Sequence, residues 1–326
     1  MRAWRVHRLG PPQEVLSLEE MPEPEVRPGT VKIRVEAAAL NFLDILLCRG
    51  EYQERPPLPF TPGAEVAGTV VDAGPETSFR PGQRVVALPV LPDGGLAEFV
   101  VVLEDRVYPI PPAMPAADAA AMFITYHTAE YALHRRARLQ PGEVLLVHAG
   151  AGGVGSAAIQ LGAIAGARVV ATAGGPEKVE LCRRLGAALA IDYRRDDFVQ
   201  VVKEHTSGRG ADVVFDPVGG DVFDRSRRCI APEGRILVVG FAGGRIPEIP
   251  ANHVLVKNYS VLGIHWGYHA RLAPGAVREA HERLLRLYAE GRIKPLIFRH
   301  FAFEEAITAL NLLAGRQSWG KLVLVP

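Results

Sequence analysis

Cysteine is scarce in this sequence, with Cys48, Cys182 and Cys229 as its only examples among 326 residues. The three lie far apart and never form a CxxC pair, which argues against a disulfide framework and against a thiolate zinc site. We therefore expect three inert, buried thiols.

A surplus of charge is also lacking, because 37 Lys and Arg face 36 Asp and Glu and leave a net charge of +1. This balance gives no field that would attract nucleic acid or an anionic membrane. The start of the chain has no apolar segment of signal-peptide length, and no later run reaches the about 18 apolar residues of a membrane span. We expect a soluble, cytoplasmic protein that binds neither nucleic acid nor membrane.

What the sequence does contain is enough apolar material for two cores. Hydrophobic residues make up 48% of the chain, and a length prior of about 150 residues per domain suggests two domains. Short β-rich runs punctuated by Pro and Gly come first and indicate a small β-barrel or sandwich. Ala-rich helical segments then alternate with runs such as VLLVHA, ARVVATA and GRILVVGF, a pattern typical of a parallel βαβ sheet. We predict boundaries at 1–121, 122–264 and 265–326, the last being a return to the first domain.

The clearest motif is GAGGVG, which follows the predicted strand VLLVH and opens an Ala-rich helix. Its glycines should allow a tight turn, a close approach of backbone to a pyrophosphate, and close helix packing, in that order. The helix N-terminus adds a favourable field for the anion. The sequence therefore predicts a dinucleotide site at Gly150, Gly152, Gly153, Val154 and Gly155.

The residues after the second parallel strand favour NADPH over NADH. A site for NAD places Asp or Glu there to hold the ribose 2′-hydroxyl, but this chain has Ala173-Gly174-Gly175. Gly174 leaves room for a 2′-phosphate, and Lys178 at the start of the next helix supplies a positive charge. The alternative for Lys178 is a solvated helix residue.

Several motifs together, in this order, resemble the quinone oxidoreductase branch of the medium-chain dehydrogenase/reductase superfamily over essentially the whole chain. They are AAALNFLDILLCRGEY, PGAEVAGTV, GQRV, TAEYAL, QPGEVLLVHAGAGGVG, LGAALAIDYR, DPVGG, LGIHWG and GKLVL. The resemblance implies an α/β fold in which a doubly wound Rossmann sheet is inserted in a GroES-like β-barrel catalytic domain built from both chain ends.

The resemblance also raises the question of zinc, because alcohol-dehydrogenase relatives hold a catalytic metal in these motifs. Asn41 stands where they have Cys, Ala64 stands where they have His, and the third ligand position is not Cys either. Glu65 alone could not hold a divalent zinc, and the four-Cys structural zinc lobe is absent. We therefore expect no bound metal.

Further site residues follow from the resemblance and from the position of strands. Relatives place a polar residue at Asn41 near nicotinamide and substrate, a carboxamide partner at Thr128, and contacts to the adenosine phosphate at Tyr193 and Arg316. Simpler interpretations are an Asn capping a turn, a Thr capping a helix start, and surface residues. Phe241 is expected at the cofactor because ligands sit beyond the carboxyl ends of parallel strands, although a buried aromatic would also fit there.

Without a metal, the acceptor must already tolerate hydride addition, as a conjugated carbonyl does. The enzyme then aligns the groups, excludes water and donates a proton or hydrogen bond to the developing oxyanion. Tyr52 is the expected donor, since related enoyl-thioester reductases use a Tyr at this position. The alternative is a Tyr that only lines the site.

We thus expect an NADPH-dependent reductase of a quinone or another conjugated carbonyl, with Asn41 and Tyr52 as catalytic residues. An enoyl-thioester reductase is the first alternative, and an NADPH-binding protein with little turnover is the second. A homodimer or a dimer of dimers is also expected, because the edge strand of the parallel sheet near NYSVLGIHW needs covering.

Overall fold

The computed structural model describes all residues 1–326 and divides them into two compact units. The first unit comprises Met1–Ile124 and Pro295–Pro326, and the second comprises Thr125–Lys294. The strands are β1 (Arg2–Val6), β2 (Leu16–Glu20), β3 (Thr30–Ala39), β4 (Val66–Ala73), β5 (Arg84–Ala87), β6 (Phe99–Leu103), β7 (Val107–Pro109), β8 (Val144–Val147), β9 (Arg168–Ala173), β10 (Leu189–Asp192), β11 (Ala211–Asp216), β12 (Ile230–Val238), β13 (Ser260–Gly263), β14 (Ile297–Ala302) and β15 (Lys321–Val325).

The helices complete the chain. They are α1 (Pro12–Val15), α2 (Phe42–Arg49), α3 (Ala116–Glu130), α4 (Gly153–Ile164), α5 (Pro176–Arg184), α6 (Phe198–His205), α7 (Gly220–Ser226), α8 (Ala251–Lys257), α9 (Trp266–Leu272), α10 (Pro274–Ala289) and α11 (Ala306–Ala314). A π-helical segment, Tyr131–Arg136, continues α3. No helix is long and apolar enough to cross a membrane.

The first unit is built on a seven-stranded sheet that uses both ends of the chain. Its order is β14-β15-β3-β4-β5-β7, with β6 paired to β3, and every pair except β14–β15 is antiparallel. Alternate residues of β3, such as Val31, Ile33 and Val35, are buried while polar ones between them are not, which is the period of a half-buried strand. As predicted, the C-terminal strand β15 returns to the β domain begun by the N-terminal segment.

The second unit carries a six-stranded parallel sheet in the order β10-β9-β8-β11-β12-β13. Counted from β8 as the first strand, this is the doubly wound order 3-2-1-4-5-6 of a Rossmann sheet. The four residues of β8 are all buried, because helices cover both faces of such a sheet. The strand order reverses beside β8, and in sheets of this kind ligands bind at that point, beyond the carboxyl ends of the strands.

The boundaries of the units differ from those expected. The first crossing follows Ile124, inside α3, and the return begins at Pro295 and not at residue 265. Helix α10 stays with the second unit because His281 stacks on His127 at 5.5 Å between ring centroids. The backbone oxygen of Lys294 also accepts a 2.8 Å hydrogen bond from the Tyr126 hydroxyl. These aromatic contacts join segments far apart in sequence, so periodicity alone gives no sign of them.

All three cysteines are buried and unpaired, as the sequence predicts. Burial raises the pKa of each thiol to about 12. A thiol with so high a pKa is a poor nucleophile and a poor metal ligand at neutral pH.

Candidate functional site

The glycine-rich loop joins β8 to α4, and crowding dictates its glycines. A Cβ on Gly150 would stand 2.9 Å from the Cys182 sulfur, and one on Gly155 would stand 2.2 Å from the carbonyl oxygen of Ala149. The left-handed turn, with φ of 49°, falls on Ala149 and not on a glycine of the motif. Gly150 is therefore required for space, and the turn expected at the first glycine occurs one residue earlier.

The start of α4 presents backbone donors at this loop. Gly152 is the N-cap with extended backbone, and the first helical bond runs from Ser156 N–H to the Gly152 oxygen at 2.9 Å. The preceding amides, those of Gly153, Val154 and Gly155, have no acceptor four residues back inside the helix. Together with the helix dipole they form a site suited to a pyrophosphate.

A buried histidine, His148, holds the strand end before the glycine-rich loop through two side-chain hydrogen bonds. His148 lies directly before it, with Nδ1 3.0 Å from the Thr172 hydroxyl and Nε2 2.8 Å from the Ser226 hydroxyl. The Ser226 hydroxyl donates its own hydrogen to the Val222 carbonyl, so it accepts from Nε2–H and the ring is neutral. Burial lowers the pKa of His148 to about 3. The histidine thus ties β8 to β9 and α7.

Cationic side chains lie close to Gly174, which follows the carboxyl end of β9. A Cβ on Gly174 would stand 2.7 Å from the Tyr193 hydroxyl and 2.9 Å from Arg194 Nε. Burial, and then the nearby charge of Arg194, lower the pKa of Lys178. An anion would offset the repulsion between these like charges, so this part of the second unit is chemically suited to a phosphate. The structure brings Tyr193 and Arg194 to Gly174, and it places Lys178 near Arg194. Gly174, Lys178 and Tyr193 are predicted from the sequence as cofactor contacts, whereas Arg194 is not.

Asp192 at the end of β10 accepts hydrogen bonds from two backbone N–H groups. Its Oδ1 accepts from the Gly175 N–H at 2.9 Å and from the Arg194 N–H at 3.1 Å. The Gly175 N–H is the first cause that holds the pKa of this carboxyl below its usual range, and the backbone N–H of Arg194 adds to it. The carboxylate therefore joins the loop after β9 to the loop after β10.

The loops after β11 and β12 meet at Gly219 and Phe241. A Cβ on Gly219 would stand 2.9 Å from Phe241 Cδ1, so the ring packs over the glycine backbone. Asp216 shapes this loop, because its Oδ1 accepts from the N–H groups of Val218 and Gly219 at 2.8 and 3.0 Å. Burial raises the pKa of Asp216 to about 6. The half-buried Phe241 therefore stands at the carboxyl edge of the sheet, where the sequence places it.

In the first unit, Asn41, Glu65 and Lys321 form a buried polar group that we call the Asn41 cluster. β3 ends just before Asn41, β4 begins just after Glu65, and β15 begins with Lys321, so sheet pairing brings the three together. Lys321 Nζ donates to Asn41 Oδ1 at 2.6 Å and to Glu65 Oε1 at 2.8 Å, and Asn41 Nδ2 donates to Glu65 Oε1 at 2.8 Å.

Burial makes the ion pair in this cluster sensitive to loss of either partner. Lys321 is 4% exposed and Glu65 is fully buried. The ammonium also donates to the Leu40 oxygen, and Glu65 Oε2 accepts from the Ile124 N–H at 2.7 Å. Removing one partner of such a pair typically costs about 3–5 kcal/mol, because the other charge is left uncompensated.

Asp44 anchors the loop beside the cluster. Its carboxylate accepts from the backbone N–H of Asn41 at 2.8 Å and from that of Gly63 at 3.1 Å. Burial is the main cause that raises the pKa of Asp44 to about 6. Asp44 therefore ties the backbone of Asn41 to the backbone of Gly63.

The residues at the former metal positions do not fit a catalytic zinc. No group of three His, Cys, Asp or Glu side chains is placed to hold a metal ion. Ala64 offers no ligand atom, and the ammonium of Lys321 already faces the Glu65 carboxylate at 2.8 Å. A catalytic zinc needs three protein ligands, and this set does not supply them.

The remaining expected residues lie in separate places. Tyr52 lies between α2 and β4, half-buried against the hydrophobic core of the first unit. Thr128 is buried in the last turn of α3, so the idea that it caps a helix start is wrong. Arg316 follows α11 in the first unit with φ of 56°, whereas Tyr193 belongs to the second unit.

Comparisons with known proteins match this architecture. The alcohol dehydrogenase GroES-like domain matches residues 27–112, and the zinc-binding dehydrogenase domain matches residues 153–285. The quinone oxidoreductase-like protein 2 homolog of Nematostella vectensis is 40% identical over 99% of this chain and 88% of its own. Quinone oxidoreductase-like protein 2 of Bos taurus is 40% identical over 95% of this chain and 88% of its own.

Among solved structures, the quinone oxidoreductase of Escherichia coli in complex with NADPH superimposes with a TM-score of 0.94. It is 29% identical, and the alignment covers 100% of both chains. These matches confirm the predicted fold class, a Rossmann sheet inserted in a GroES-like domain.

Proposed function

This chain belongs to the quinone oxidoreductase branch of the medium-chain dehydrogenase/reductase superfamily, and from that premise we propose that it is an NADPH-dependent reductase of quinones or other conjugated carbonyls that works without zinc. The observation that carries the proposal is the group of cationic side chains, Lys178 and Arg194, near Gly174, on the same Rossmann unit as the glycine-rich loop. Pyrophosphate and 2′-phosphate are the two anionic parts of NADPH, and each has a site suited to it here.

Different residues would hold the different parts of NADPH. The loop at Gly150–Gly155 and the N-terminus of α4 take the pyrophosphate, and Lys178, Tyr193 and Arg194 take the 2′-phosphate, with Arg316 as a further phosphate contact. In the second unit we assign Phe241 and Thr128 to the nicotinamide half, and in the first unit the family resemblance assigns Asn41 to it. When bound, NADPH supplies the hydride.

The chain's own residues supply alignment and a proton. A conjugated carbonyl accepts hydride without a Lewis acid, so the Lys321 ammonium at Glu65 supports chemistry that needs no metal. Tyr52 is half-buried and packs against the hydrophobic core of the first unit, and in such partly desolvated surroundings a hydrogen bond to a developing oxyanion is stronger than in water. We assign Tyr52 as the donor to the reduced acceptor.

The test is steady-state oxidation of NADPH by the purified protein with 1,4-benzoquinone, with crotonyl-CoA and with neither. Turnover with the quinone supports the proposal, and turnover with the thioester alone would favour an enoyl-thioester reductase. NADPH binding without turnover on either would indicate a binding protein. No binding at all would overturn the cofactor assignment.

We also propose that the protein is a homodimer or a dimer of dimers. β13 is an edge strand, paired only to β12, and Leu255 and Val256 of the preceding helix are 76% and 80% exposed. If two subunits pair their β13 strands about a two-fold axis, the exposed sheet edge of each subunit is covered. Sedimentation of the wild type and of Val256→Lys tests this: a wild-type monomer at micromolar concentration would contradict it.

A further inference from the structure

The Asn41 cluster specifies which way the Asn41 side-chain amide faces. Lys321 is an ammonium that can only donate hydrogen bonds, and Glu65 as a carboxylate can only accept them. The atom facing Lys321 at 2.6 Å must therefore be the oxygen of Asn41, and the atom facing Glu65 at 2.8 Å must be its nitrogen. A rotation of the amide by 180° would set donor against donor and acceptor against acceptor.

The donors of this amide are already used inside the protein. Asn41 Nδ2 has two hydrogens, and it donates to Glu65 Oε1 at 2.8 Å and to the Ala39 oxygen at 3.2 Å. Oδ1 has two lone pairs, and only one of them faces Lys321. The capacity left to Asn41 is one acceptor site.

We propose that Lys321 is a positioning residue that, with Glu65, fixes the Asn41 amide so that it presents an acceptor and not a donor to the reacting groups. This inference rests on the proposed function, because that function brings cofactor or substrate to Asn41. Lys321 itself is buried and acts through Asn41.

The chemical consequence is a division of labour between Asn41 and Tyr52. An oxyanion on the reduced acceptor needs hydrogen-bond donors, so Asn41 in this orientation does not stabilise it. Its Oδ1 instead suits an O–H or N–H group, such as a ribose hydroxyl or a carboxamide of the bound dinucleotide. The oxyanion is left to Tyr52.

A double-mutant cycle tests whether Lys321 acts through Asn41. The variants are Lys321→Met, Asn41→Ala and the pair, with kcat and KM for NADPH counted per NADPH-binding site so that unfolded protein does not enter. Each single change should lower kcat/KM about tenfold or more, as misplacement of a site group does. The double variant should lose no more than Asn41→Ala alone. Additive losses would overturn the proposal.

Two further variants separate positioning from folding. Lys321→Met leaves a buried carboxylate unpaired, so Lys321→Met/Glu65→Gln restores charge balance while still lacking the ammonium. Both should show the same loss in kcat/KM. Lys32→Met, which breaks the exposed ion pair of Lys32 with Glu23, is the matched control and should match wild type. Recovery of full turnover in the charge-balanced variant would show that Lys321 is only structural.

A direct measurement needs no substrate, and it decides the matter even if the protein reduces neither acceptor. The chain has only four asparagines, Asn41, Asn252, Asn258 and Asn311, so selective ¹⁵N labelling gives few side-chain signals and Asn41→Ala assigns one of them. Its Nδ2 hydrogens should exchange slowly with water in wild type and in Lys32→Met, and at least tenfold faster in the charge-balanced variant. Equal exchange rates would overturn the proposed orientation by Lys321.

Discussion

The Tyr193 hydroxyl stands where a side chain on Gly174 would have to go, 2.7 Å from the Cβ position. Only glycine leaves the space between this hydroxyl and Arg194 open. Arg194 and the nearby ammonium of Lys178 both attract an anion, and the proposed function assigns the 2′-phosphate of NADPH to them. We therefore expect the residues around Gly174 to set the preference for NADPH over NADH.

Lys178→Ala and Arg194→Ala should each weaken NADPH binding about tenfold or more and leave NADH binding nearly unchanged, because a charge-assisted hydrogen bond is worth about 1.5–3 kcal/mol. Titration of both dinucleotides by protein fluorescence measures this. Lys203→Ala, on the exposed side of α6, is the control and should behave as wild type. Wild-type affinities equal for the two dinucleotides would contradict the assignment.

Gly155→Ala should destabilise the protein by about 1–3 kcal/mol and weaken binding of both dinucleotides, because the new Cβ would lie 2.2 Å from backbone oxygen. Urea unfolding and dinucleotide titration are the measurements. Gly275→Ala has open space around its Cβ and lies in the first turn of α10, so it should be neutral or slightly stabilising. Equal behaviour of the two variants would show that the loop is not tightly packed.

The pKa of His148 is about 3 in the folded protein and about 6.5 in an unfolded chain. Below pH 6.5 the unfolded state takes up a proton on this histidine that the folded state does not. The free energy of unfolding therefore has its full value above pH 6.5 and decreases as pH falls towards 3. Between pH 7.5 and pH 5.0 the free energy of unfolding should fall by about 2 kcal/mol more in wild type than in His148→Gln. Urea unfolding at both pH values measures it, and parallel curves for the two proteins would refute the role.

Tyr52→Phe should slow reduction of an enoyl thioester about 10²-fold or more, because an enolate carbon must receive a proton from a positioned donor. A quinone should lose only a few-fold, since water can protonate a hydroquinone anion. Turnover on crotonyl-CoA and on 1,4-benzoquinone, with NADPH affinity checked separately, gives the comparison. Equal losses on both would mean that Tyr52 positions the acceptor and donates no proton.

How much the sequence predicts depends on whether a residue acts through a local pattern. The glycine loop and the buried β runs carry their meaning in consecutive residues, so the Rossmann unit and the position of Gly174 were predictable. Lys321 was missed because its role depends on β15 pairing with β3, a contact across most of the chain. A weak signal did exist, since a lysine at the head of the apolar run KLVLV is out of place in a strand whose first four residues are buried.

Other differences have equally local causes. Arg194 follows Tyr193 on an exposed turn, where sequence offers no reason to choose one arginine among many. Thr128 resembled a helix cap only because the start of α3 at Ala116 lies earlier than the TAEYAL motif suggests. The turn at Ala149 could not be told from one at Gly150, since an alanine with positive φ is uncommon.

The central claim, hydride transfer to a conjugated carbonyl without zinc, is tested most directly by turnover of metal-depleted protein. The protein is treated with a strong chelator, its zinc content is measured, and NADPH consumption is compared with hydroquinone formed from 1,4-benzoquinone. The ammonium of Lys321 at the Glu65 carboxylate leads us to expect full activity at far less than one zinc per chain, with one hydroquinone per NADPH. Activity that disappears with the metal and returns with added Zn²⁺ would contradict the account.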